Sequence, residues 1–293
     1  MATSNWLRLA GRVAVVTGAG SGIGASVAYS LASQGCHVIL ADKKYEKAEE
    51  SARQCPGITH LELKDGVFAS HSSHTTHLLP VKCDVTKSEE VRNLIQQADQ
   101  LATRVYSDDS GMSPNSLMLD SPLASILVNC AGITRDCFLK DMTEEDFDDV
   151  INVNLRGTFL TCKYFSTLER LESLASSPFS SAIINIGSVV GLRGNKGQSN
   201  YAASKGGVYS MTLSMAKELT KYNVRANCIL PGYIDTPMSA KVPEHIKNHM
   251  ISNIPMNRFG TTENVSDLVL FLASERAAYI TGEGVEISGS ITV

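Results

Sequence analysis

The segment Val13–Ala32 (VAVVTGAGSGIGASVAYSLA) reads as a short apolar strand, a glycine-rich turn and a helix. The turn has the order Thr-Gly-x-x-x-Gly-Ile-Gly, and Ile23 stands where the last glycine of a G-x-G-x-x-G fingerprint would be. Glycines there let the backbone approach a pyrophosphate, whose charge is stabilised by the N-terminus of the next helix. The turn therefore predicts a dinucleotide site formed by Thr17, Gly18, Gly20, Ser21, Gly22, Ile23 and Gly24.

Beyond this unit, apolar strand-like runs alternate with helical patterns. Further strands are predicted at His37–Asp42, Leu79–Cys83, Ile126–Asn129, Ala182–Ile186, Val224–Ile229 and Gly284–Ile287. Helices are predicted at Tyr45–Gln54, after a Thr86/Glu89 capping box, from Thr143/Asp146 through Asn154 to about Glu172, and at Asn200–Lys221 and Glu263–Ser274. This alternation predicts one α/β domain over residues 1–293, a three-layer, Rossmann-type, doubly wound parallel sheet of about seven strands.

The second predicted strand ends at Asp42. A carboxylate at this position accepts hydrogen bonds from the adenosine ribose 2′-hydroxyl and repels a 2′-phosphate, which favours NAD over NADP. Lys43 and Lys44 are able to hold a phosphate, so NADP stays open as the less favoured cofactor. The other interpretation of these lysines is the solvated first turn of a helix.

Ser188, Tyr201 and Lys205 lie in one run, Ile183–Gly207. Tyr201 and Lys205 are four residues apart and share a helix face. A phenol ordinarily loses its proton near pH ~10, and a neighbouring ammonium lowers that pKa, which makes tyrosine an acid or base for alcohol and ketone chemistry. An ordinary helix pair is the other interpretation. A hydrolase nucleophile at Ser188 is a poor fit, because no G-x-S-x-G elbow surrounds it.

These motifs together resemble the short-chain dehydrogenase/reductase family, from about Arg12 to the C-terminus. The matching positions are Thr17–Gly24, Asn129–Gly132, Asn154, Ser188, Tyr201, Lys205 and Pro231-Gly232. The resemblance implies an NAD(P)-dependent oxidoreductase that interconverts a secondary alcohol and a ketone. Within the family, 3-oxoacyl-acyl-carrier-protein reductases and 17β-hydroxysteroid dehydrogenases are similar.

The resemblance also implies a role for each catalytic residue. Tyr201 exchanges a proton with the substrate oxygen, and Ser188 hydrogen-bonds that oxygen, so both bind substrate. Lys205 lowers the pKa of Tyr201 and binds the nicotinamide ribose. Asn154 supports a water chain from Lys205 to solvent, or it plugs a distortion in its helix, and both readings stay open.

Further cofactor contacts are implied in the same way. Asp84 resembles the residue that contacts the adenine amino group, and its other interpretation is a turn residue after a strand. Asn129 packs against the next strand end, and Thr236 resembles the group near the nicotinamide amide. The remaining expected contacts are Lys43, Cys83, Val85, Ala131, Gly132, Pro231, Gly232 and Ile234, together with Tyr201 and Lys205.

Two segments lengthen the chain and are predicted to be surface loops. The first, about residues 55–78, carries His60, His71, His74 and His77; we expect a solvated loop and no metal site. The second, about residues 106–122, is rich in Asp, Ser and Pro.

Composition excludes several classes of function. The net charge of −4 with no Lys/Arg run argues against nucleic acid, and no apolar run is long enough to span a membrane. Seven cysteines, odd in number, are read as reduced core thiols. The resemblance implies the mitochondrial matrix, with the cytoplasm as the alternative.

Gly206 and Gly207 lie inside a predicted helix, where glycine is unfavourable by roughly 0.5–1 kcal/mol. We expect a second helix to approach closely there. The resemblance places that contact at a dimer interface within a homotetramer, or within a heterotetramer with a second short-chain reductase subunit. Local packing within the monomer is the alternative.

The substrate is the least constrained feature. Met238, Val242, Ile246 and Met250 recur every four residues and predict an apolar helical stripe, either a lid over an acyl chain or steroid or a face packed on the domain. Relatives that use acyl-carrier protein carry basic residues before the serine-bearing strand, whereas residues 172–182 here have none. Three hypotheses follow: an NAD-dependent 3-hydroxyacyl-CoA or 17β-hydroxysteroid dehydrogenase, an NADPH-dependent 3-oxoacyl-acyl-carrier-protein reductase, and a non-catalytic subunit of a hetero-oligomeric reductase.

Overall fold

The structure, a computed structural model, describes residues 6–55, 59–60, 63–64, 67–68, 76–110 and 123–291. Its strands are β1 (Val13–Thr17), β2 (His37–Asp42), β3 (Thr59–His60), β4 (Leu63–Lys64), β5 (Val67–Phe68), β6 (His77–Lys82), β7 (Ile126–Asn129), β8 (Ser181–Ile186), β9 (Val224–Pro231) and β10 (Gly284–Ile287). Its helices are α1 (Gly22–Ser33), α2 (Tyr45–Arg53), α3 (Ser88–Ser110), α4 (Glu144–Val150), a π-helical turn (Ile151–Arg156), α5 (Gly157–Phe165), α6 (Leu168–Ala175), α7 (Val190–Arg193), α8 (Ser199–Leu219), α9 (Glu244–Ser252) and α10 (Thr262–Ala273).

The main sheet is parallel and has the strand order β10-β9-β8-β7-β1-β2-β6-β3. Seven strands of four or more residues form its body, and the two-residue β3 extends one edge. The order reverses at β1, which pairs with both β2 and β7. A crevice opens at such a reversal beyond the carboxyl ends of the strands. The predicted Rossmann-type doubly wound fold is confirmed.

Both faces of the sheet are covered, which explains the continuous apolar runs of its strands. Ala14 and Val16 face a layer that contains α1 and α10, and Val13 and Val15 face a layer that contains α3 and α5. Phe165 at the end of α5 is among the largest fully buried side chains. All seven cysteines are free, and five of them are buried in the core as expected.

The helix predicted to run through Asn154 to Glu172 is instead interrupted. α5 ends at Phe165, and α6 begins at Leu168. Arg170 is buried and donates from Nε to the Phe165 carbonyl oxygen at 2.8 Å, which satisfies a carbonyl group at the end of α5. The same guanidinium pairs with Asp99, so a long-range contact fixes the break.

The two predicted helix caps have different outcomes. Thr143 caps α4 as expected, accepting from the Asp146 N–H at 3.0 Å. The Thr86/Glu89 capping box is wrong, because α3 begins at Ser88 and the Thr86 hydroxyl donates to Asp84 Oδ1 at 2.8 Å.

The first segment predicted as a loop is partly sheet. His77 and Leu78 are buried in β6, Thr59–His60 pairs with β6, and β4 pairs antiparallel with β5. His71 and His74 lie outside the described residues. In the second segment α3 continues to Ser110, and residues 111–122 are outside the description. The described part of the chain contains no group of three potential metal ligands, and none of its helices is long and apolar enough to cross a membrane.

Candidate active site

The glycine-rich turn lies where β1 ends. Gly18 has a φ of +64°, and a Cβ there would lie 2.7 Å from the Ala131 Cα, so the turn packs directly against the chain that follows β7. Thr17 Oγ1 accepts from the Ala131 N–H at 3.3 Å. Ser21, the N-cap of α1, makes no side-chain cap. This bare backbone at a helix N-terminus fits the pyrophosphate of NAD(P).

Asp42 closes the same turn from the end of β2. Its Oδ2 accepts from the Gly20 N–H at 3.0 Å, and its Oδ1 accepts from the Lys44 N–H at 2.9 Å. A Cβ at Gly20 would lie 2.7 Å from Asp42 Oδ2, so glycine is required for this contact. The carboxylate is thus held at the place where the predicted site needs a ribose-binding group.

Lys43 and Lys44 are exposed and lie at the start of α2, with Lys44 as its N-cap, so their interpretation as solvated residues at a helix start is supported. The Lys43 ammonium lies 2.9 Å from the Asp84 carboxylate, and this hydrogen bond raises the pKa of Lys43. Asp84 Oδ1 also accepts from the Thr86 N–H at 3.0 Å, which confirms Asp84 as a turn residue after β6. Its contact with adenine stays a prediction.

Ser188, Tyr201 and Lys205 are brought together beyond the end of β8. Ser188 is buried, follows this strand by two residues, and accepts from the Val190 N–H at 3.2 Å. Tyr201 lies in the first turn of α8, and the neighbouring Ser188 side chain acts to lower the pKa of its phenol. Lys205 follows one turn later and is 5% exposed.

The expected lowering of the Tyr201 pKa by Lys205 stays a prediction. The Lys205 ammonium nitrogen lies 5.7 Å from the Tyr201 ring centroid and donates at 2.7 Å to the Ile186 carbonyl oxygen. Burial lowers the pKa of Lys205 to about 8. Although part of the Tyr201 side chain reaches solvent, burial of its phenol raises its pKa to about 12, against a lowering by the Ser188 side chain. Tyr201 is therefore a neutral proton donor at physiological pH.

Asn154 is fully buried in the π-helical turn, which confirms its role at a helix distortion. Its Oδ1 accepts from the Ile133 N–H at 2.8 Å, and its Nδ2 donates to the Ile133 carbonyl oxygen at 3.0 Å and to Ser204 Oγ at 3.1 Å. The side chain thus joins the loop after β7 to α8. The water chain from Lys205 stays a prediction.

Contacts within the chain account for the glycines after Lys205. A Cβ at Gly206 would lie 2.9 Å from the Gly191 carbonyl oxygen in α7, and a Cβ at Gly207 would lie 2.8 Å from a Leu155 methyl group. Packing within the monomer, the alternative interpretation, is therefore confirmed. The glycines give no independent support to a dimer interface.

A buried polar network beneath the site is not evident from the motifs. Asn129 donates from Nδ2 to Asn185 Oδ1 at 2.9 Å and accepts from Thr161 Oγ1 at 2.7 Å. Asn185 in turn donates to Thr212 Oγ1 at 2.9 Å. The sequence motifs include Asn129 but not Thr161, Asn185 or Thr212. Asn185 stands inside the apolar run of β8, and a buried asparagine in such a run indicates a buried hydrogen-bonding partner.

The remaining predicted contacts surround the same crevice. Thr236 lies across from the glycine turn, since a Cβ at Gly22 would be 3.5 Å from its Cγ2. Cys83 and Val85 flank Asp84, Gly132 follows Ala131, Pro231 ends β9, and Gly232 and Ile234 lead to Thr236.

The predicted apolar helical stripe is wrong. Met238 precedes a short 3₁₀ turn, Val242 is extended, and only Ile246 and Met250 belong to α9. That helix has no buried residue, and Ile246 is 42% exposed. The segment therefore presents apolar side chains to solvent.

Known proteins are similar to this chain over almost its whole length. Residues 12–106 match the short chain dehydrogenase family, and residues 123–292 match the family described as enoyl-(acyl carrier protein) reductase. The chain is 40% identical over 287 residues to (3R)-3-hydroxyacyl-CoA dehydrogenase of Mus musculus, covering 97% of this chain and 98% of that protein. The Homo sapiens protein of the same name is 39% identical over 291 residues, 99% of each chain. A 3-oxoacyl-(acyl-carrier-protein) reductase of Thermotoga maritima is 35% identical over 287 residues, covering 98% of this chain and 100% of that protein. The chain belongs to the short-chain dehydrogenase/reductase family.

Proposed function

We propose that the chain is an NAD-dependent oxidoreductase that interconverts a (3R)-3-hydroxyacyl-CoA and its 3-oxoacyl counterpart. The observation that carries this is the convergence of Ser188, Tyr201 and Lys205 beyond the end of β8, in the crevice that the glycine turn and Asp42 also line. As a family member the chain acts on hydroxyl and keto groups. The names of the mammalian relatives supply the acyl-CoA class.

The side chains divide the reaction between them. Ser188 hydrogen-bonds the carbonyl oxygen of the 3-oxo substrate, and the neutral Tyr201 phenol donates a proton to that oxygen as the carbon is reduced. When bound, NADH supplies the hydride. In the reverse direction the phenolate form of Tyr201 accepts the proton of the 3-hydroxyl group. Lys205 holds the end of the strand that leads to Ser188 against α8 through its bond to Ile186.

The second candidate differs in its cofactor and its acyl carrier: it is an NADPH-dependent 3-oxoacyl-acyl-carrier-protein reductase. The name of the Thermotoga maritima relative favours this candidate. Asp42 at the ribose position supports NAD instead. Residues 172–182 contain no Lys or Arg, which weakens docking of an acidic carrier protein.

Resemblances to one particular member of the family extend the proposal. The stretches Val128–Leu139, Gly194–Lys205 and Lys241–Gly260 resemble 17β-hydroxysteroid dehydrogenase type 8, so estradiol is a second substrate to test. The same resemblance supports the mitochondrial matrix and a tetramer, alone or with a second reductase subunit. A non-catalytic subunit is disfavoured, because a scaffold does not need the complete set of Asn154, Ser188, Tyr201 and Lys205.

A cofactor-by-substrate matrix tests these candidates: NADH and NADPH against acetoacetyl-CoA, acetoacetyl-acyl-carrier protein and estrone. We expect the NADH and acetoacetyl-CoA pair to give the highest kcat/KM. Tyr201→Phe should lower kcat by a factor of about 10²–10⁴. Tyr209→Phe is the matched control, since that ring lies on α8 against Gly284. A Tyr201→Phe variant with wild-type turnover would refute the proposal.

A further inference from the structure

The chain that follows β10 makes a tight turn over residues 288–291. Gly289 and Ser290 have φ values of +61° and +66°, so two successive residues of this turn lie in the left-handed region. That region favours glycine, and a serine persists there only where the surrounding structure holds it. The contacts of this turn are therefore the place to look for what it does.

Ile291, at the end of the turn, belongs to a small buried cluster. It is 3% exposed and packs with Val189 and Ile254, which are each 2% exposed. Tyr233 and Phe259 are partly buried against the same cluster. The cluster is separate from the two large cores on the faces of the sheet. Its three buried members are far apart in sequence, so Ile291 joins two other segments of the chain.

The first of these segments carries Ser188. Val189 directly follows that residue, and its N–H donates to the Pro231 carbonyl oxygen in β9 at 3.1 Å. Val189 is also the N-cap of α7, and its carbonyl oxygen accepts from the Leu192 N–H at 3.0 Å. Because the backbone of Val189 is bonded to that of Ser188, the packing of Ile291 on Val189 bears on where the Ser188 hydroxyl lies.

The second segment is the chain between residues 233 and 260. It leaves and rejoins the domain at one point, where the Gly260 N–H donates to the Tyr233 carbonyl oxygen at 2.9 Å. Its helix, α9, has no buried residue, whereas Ile254 just after that helix is buried. A Cβ at Gly289 would lie 2.9 Å from the Ile254 Cγ2, so the turn packs directly on this residue. The turn thus holds an otherwise exposed segment to the domain.

A contact from β10 supports the same arrangement. Arg193, the last residue of α7, donates from Nη2 to both carboxylate oxygens of Glu286, at 2.8 and 2.9 Å. Both side chains are about a third exposed, so the pair contributes little to stability. Its geometry is what matters here. The short helix after Ser188 is held at its far end by β10 and at its near end, through Val189, by Ile291.

We propose that Ile291 is a positioning residue for the reaction: by packing between Val189 and Ile254 it sets the place of the Ser188 hydroxyl relative to residues 233–260. This rests on the proposed function, in which that hydroxyl binds the 3-oxo oxygen. A displacement of about 1 Å at a reacting centre can lower a rate by about 10²-fold. The dinucleotide turn follows β1, three strands from β9 in the sheet, so loss of the Ile291 side chain should leave cofactor binding unchanged.

Steady-state oxidation of 3-hydroxybutyryl-CoA with NAD, combined with urea unfolding, tests the idea. We expect kcat to fall about twofold in Ile291→Val and about tenfold in Ile291→Ala, as more of the side chain is removed. The affinity for NADH, measured by calorimetry, should stay within about twofold of the wild type. Ile95→Ala is the matched control, since Ile95 is also 3% exposed but lies in α3. It should lower the urea midpoint as much as Ile291→Ala does and keep kcat within about twofold of the wild type.

Three results would overturn the proposal: wild-type kcat in the Ile291 variants, an equal loss of kcat in Ile95→Ala, or a loss of NADH affinity as large as the loss of kcat. The last two would show that any weakening of the fold lowers activity. If Ile291→Ala does not fold, Ile291→Val decides the question by the same criteria.

Hydrogen exchange separates this inference from the proposed function. In protein without substrate, we expect the amides of residues 189–193 to exchange about threefold faster in Ile291→Ala than in the wild type, because the Val189 bond to Pro231 opens more often. Ile95→Ala should leave the exchange of these amides unchanged. Equal exchange in Ile291→Ala and the wild type would refute the role of Ile291. Wild-type protein that fails to oxidise the thioester while exchange responds as expected would refute only the proposed substrate.

Discussion

The ammonium nitrogen of Lys205 donates a 2.7 Å hydrogen bond to the carbonyl oxygen of Ile186, the last residue of β8. The bond joins the catalytic helix to the strand that leads to Ser188. A neutral carbonyl compensates only partly for burial of a charge, and burial accordingly lowers the pKa of Lys205 to about 8. The residue that organises the site is therefore also a source of instability.

Lys205→Met should change how stability depends on pH. The pKa of Lys205 is about 8 in the folded protein and ordinarily 10.5, so between these values the unfolded chain binds more protons and the free energy of unfolding rises with pH. This contribution is complete above 10.5 and is lost as the pH falls to 8. From about pH 7 to about pH 10.5, we expect the wild type to gain about 3 kcal/mol relative to the variant in urea unfolding. Lys217→Met, an exposed lysine later in α8, should show no such difference, and parallel curves for wild type and Lys205→Met would contradict the prediction.

Two glycine substitutions should differ in cost because their neighbours differ in freedom to move. A Cβ at Gly191 would lie 2.6 Å from the Gly206 nitrogen and 2.7 Å from the Lys205 carbonyl carbon, both backbone atoms. At Gly207 the nearest atoms are Leu155 methyl groups, which can rotate away. We expect Gly191→Ala to lower the free energy of unfolding by about 3 kcal/mol and to reduce kcat. Gly207→Ala should cost less than about 1 kcal/mol, since alanine also favours the helix. Equal costs in urea denaturation would show that α7 and α8 separate easily.

His37→Asn should protect the fold against acid. His37 is buried at the start of β2, and its Nδ1 accepts from the His77 N–H at 3.2 Å. Burial, and then the neighbouring His77, lower the pKa of His37 to about 4 from 6.5. Below pH 6.5 the unfolded chain takes up a proton that the folded chain refuses, so stability is lost as the pH falls from about 6.5 to about 4. We expect the wild type to lose about 3 kcal/mol more than the variant between about pH 7 and about pH 4 in urea titrations.

The matched control for the acid experiment is His249→Asn, which removes an exposed imidazole from α9. Its acid response should follow that of the wild type. A His37→Asn variant as acid-sensitive as the wild type would mean that His37 is protonated within the fold.

Periodicity and turn chemistry were enough to predict the sheet and to group the site residues, because both depend on neighbours in sequence. The four-residue spacing placed Tyr201 and Lys205 on one helix face, and the glycine turn after β1 located the crevice. The sequence did not show that Lys205 turns to Ile186, that Arg170 breaks a helix after Phe165, or that Asn200 ties Arg135 to Tyr201. Each of these depends on groups far apart in the chain, so no local pattern carries them.

Asp42→Ser should invert the preference between the two dinucleotides. The carboxylate is held by the Gly20 and Lys44 N–H groups, so in the wild type it is oriented before any ligand arrives. Its removal takes away charged hydrogen bonds to a ribose and the repulsion of a 2′-phosphate. By isothermal titration calorimetry we expect the affinity for NADH to fall about 10-fold and the ratio of the NADPH to the NADH association constant to rise about 100-fold. Lys43→Met should change that ratio by less than about threefold, because the ammonium of the exposed Lys43 is already engaged with the Asp84 carboxylate at 2.9 Å. If Asp42→Ser leaves the ratio unchanged, selectivity does not come from the end of β2, and the assignment of NAD loses its structural basis.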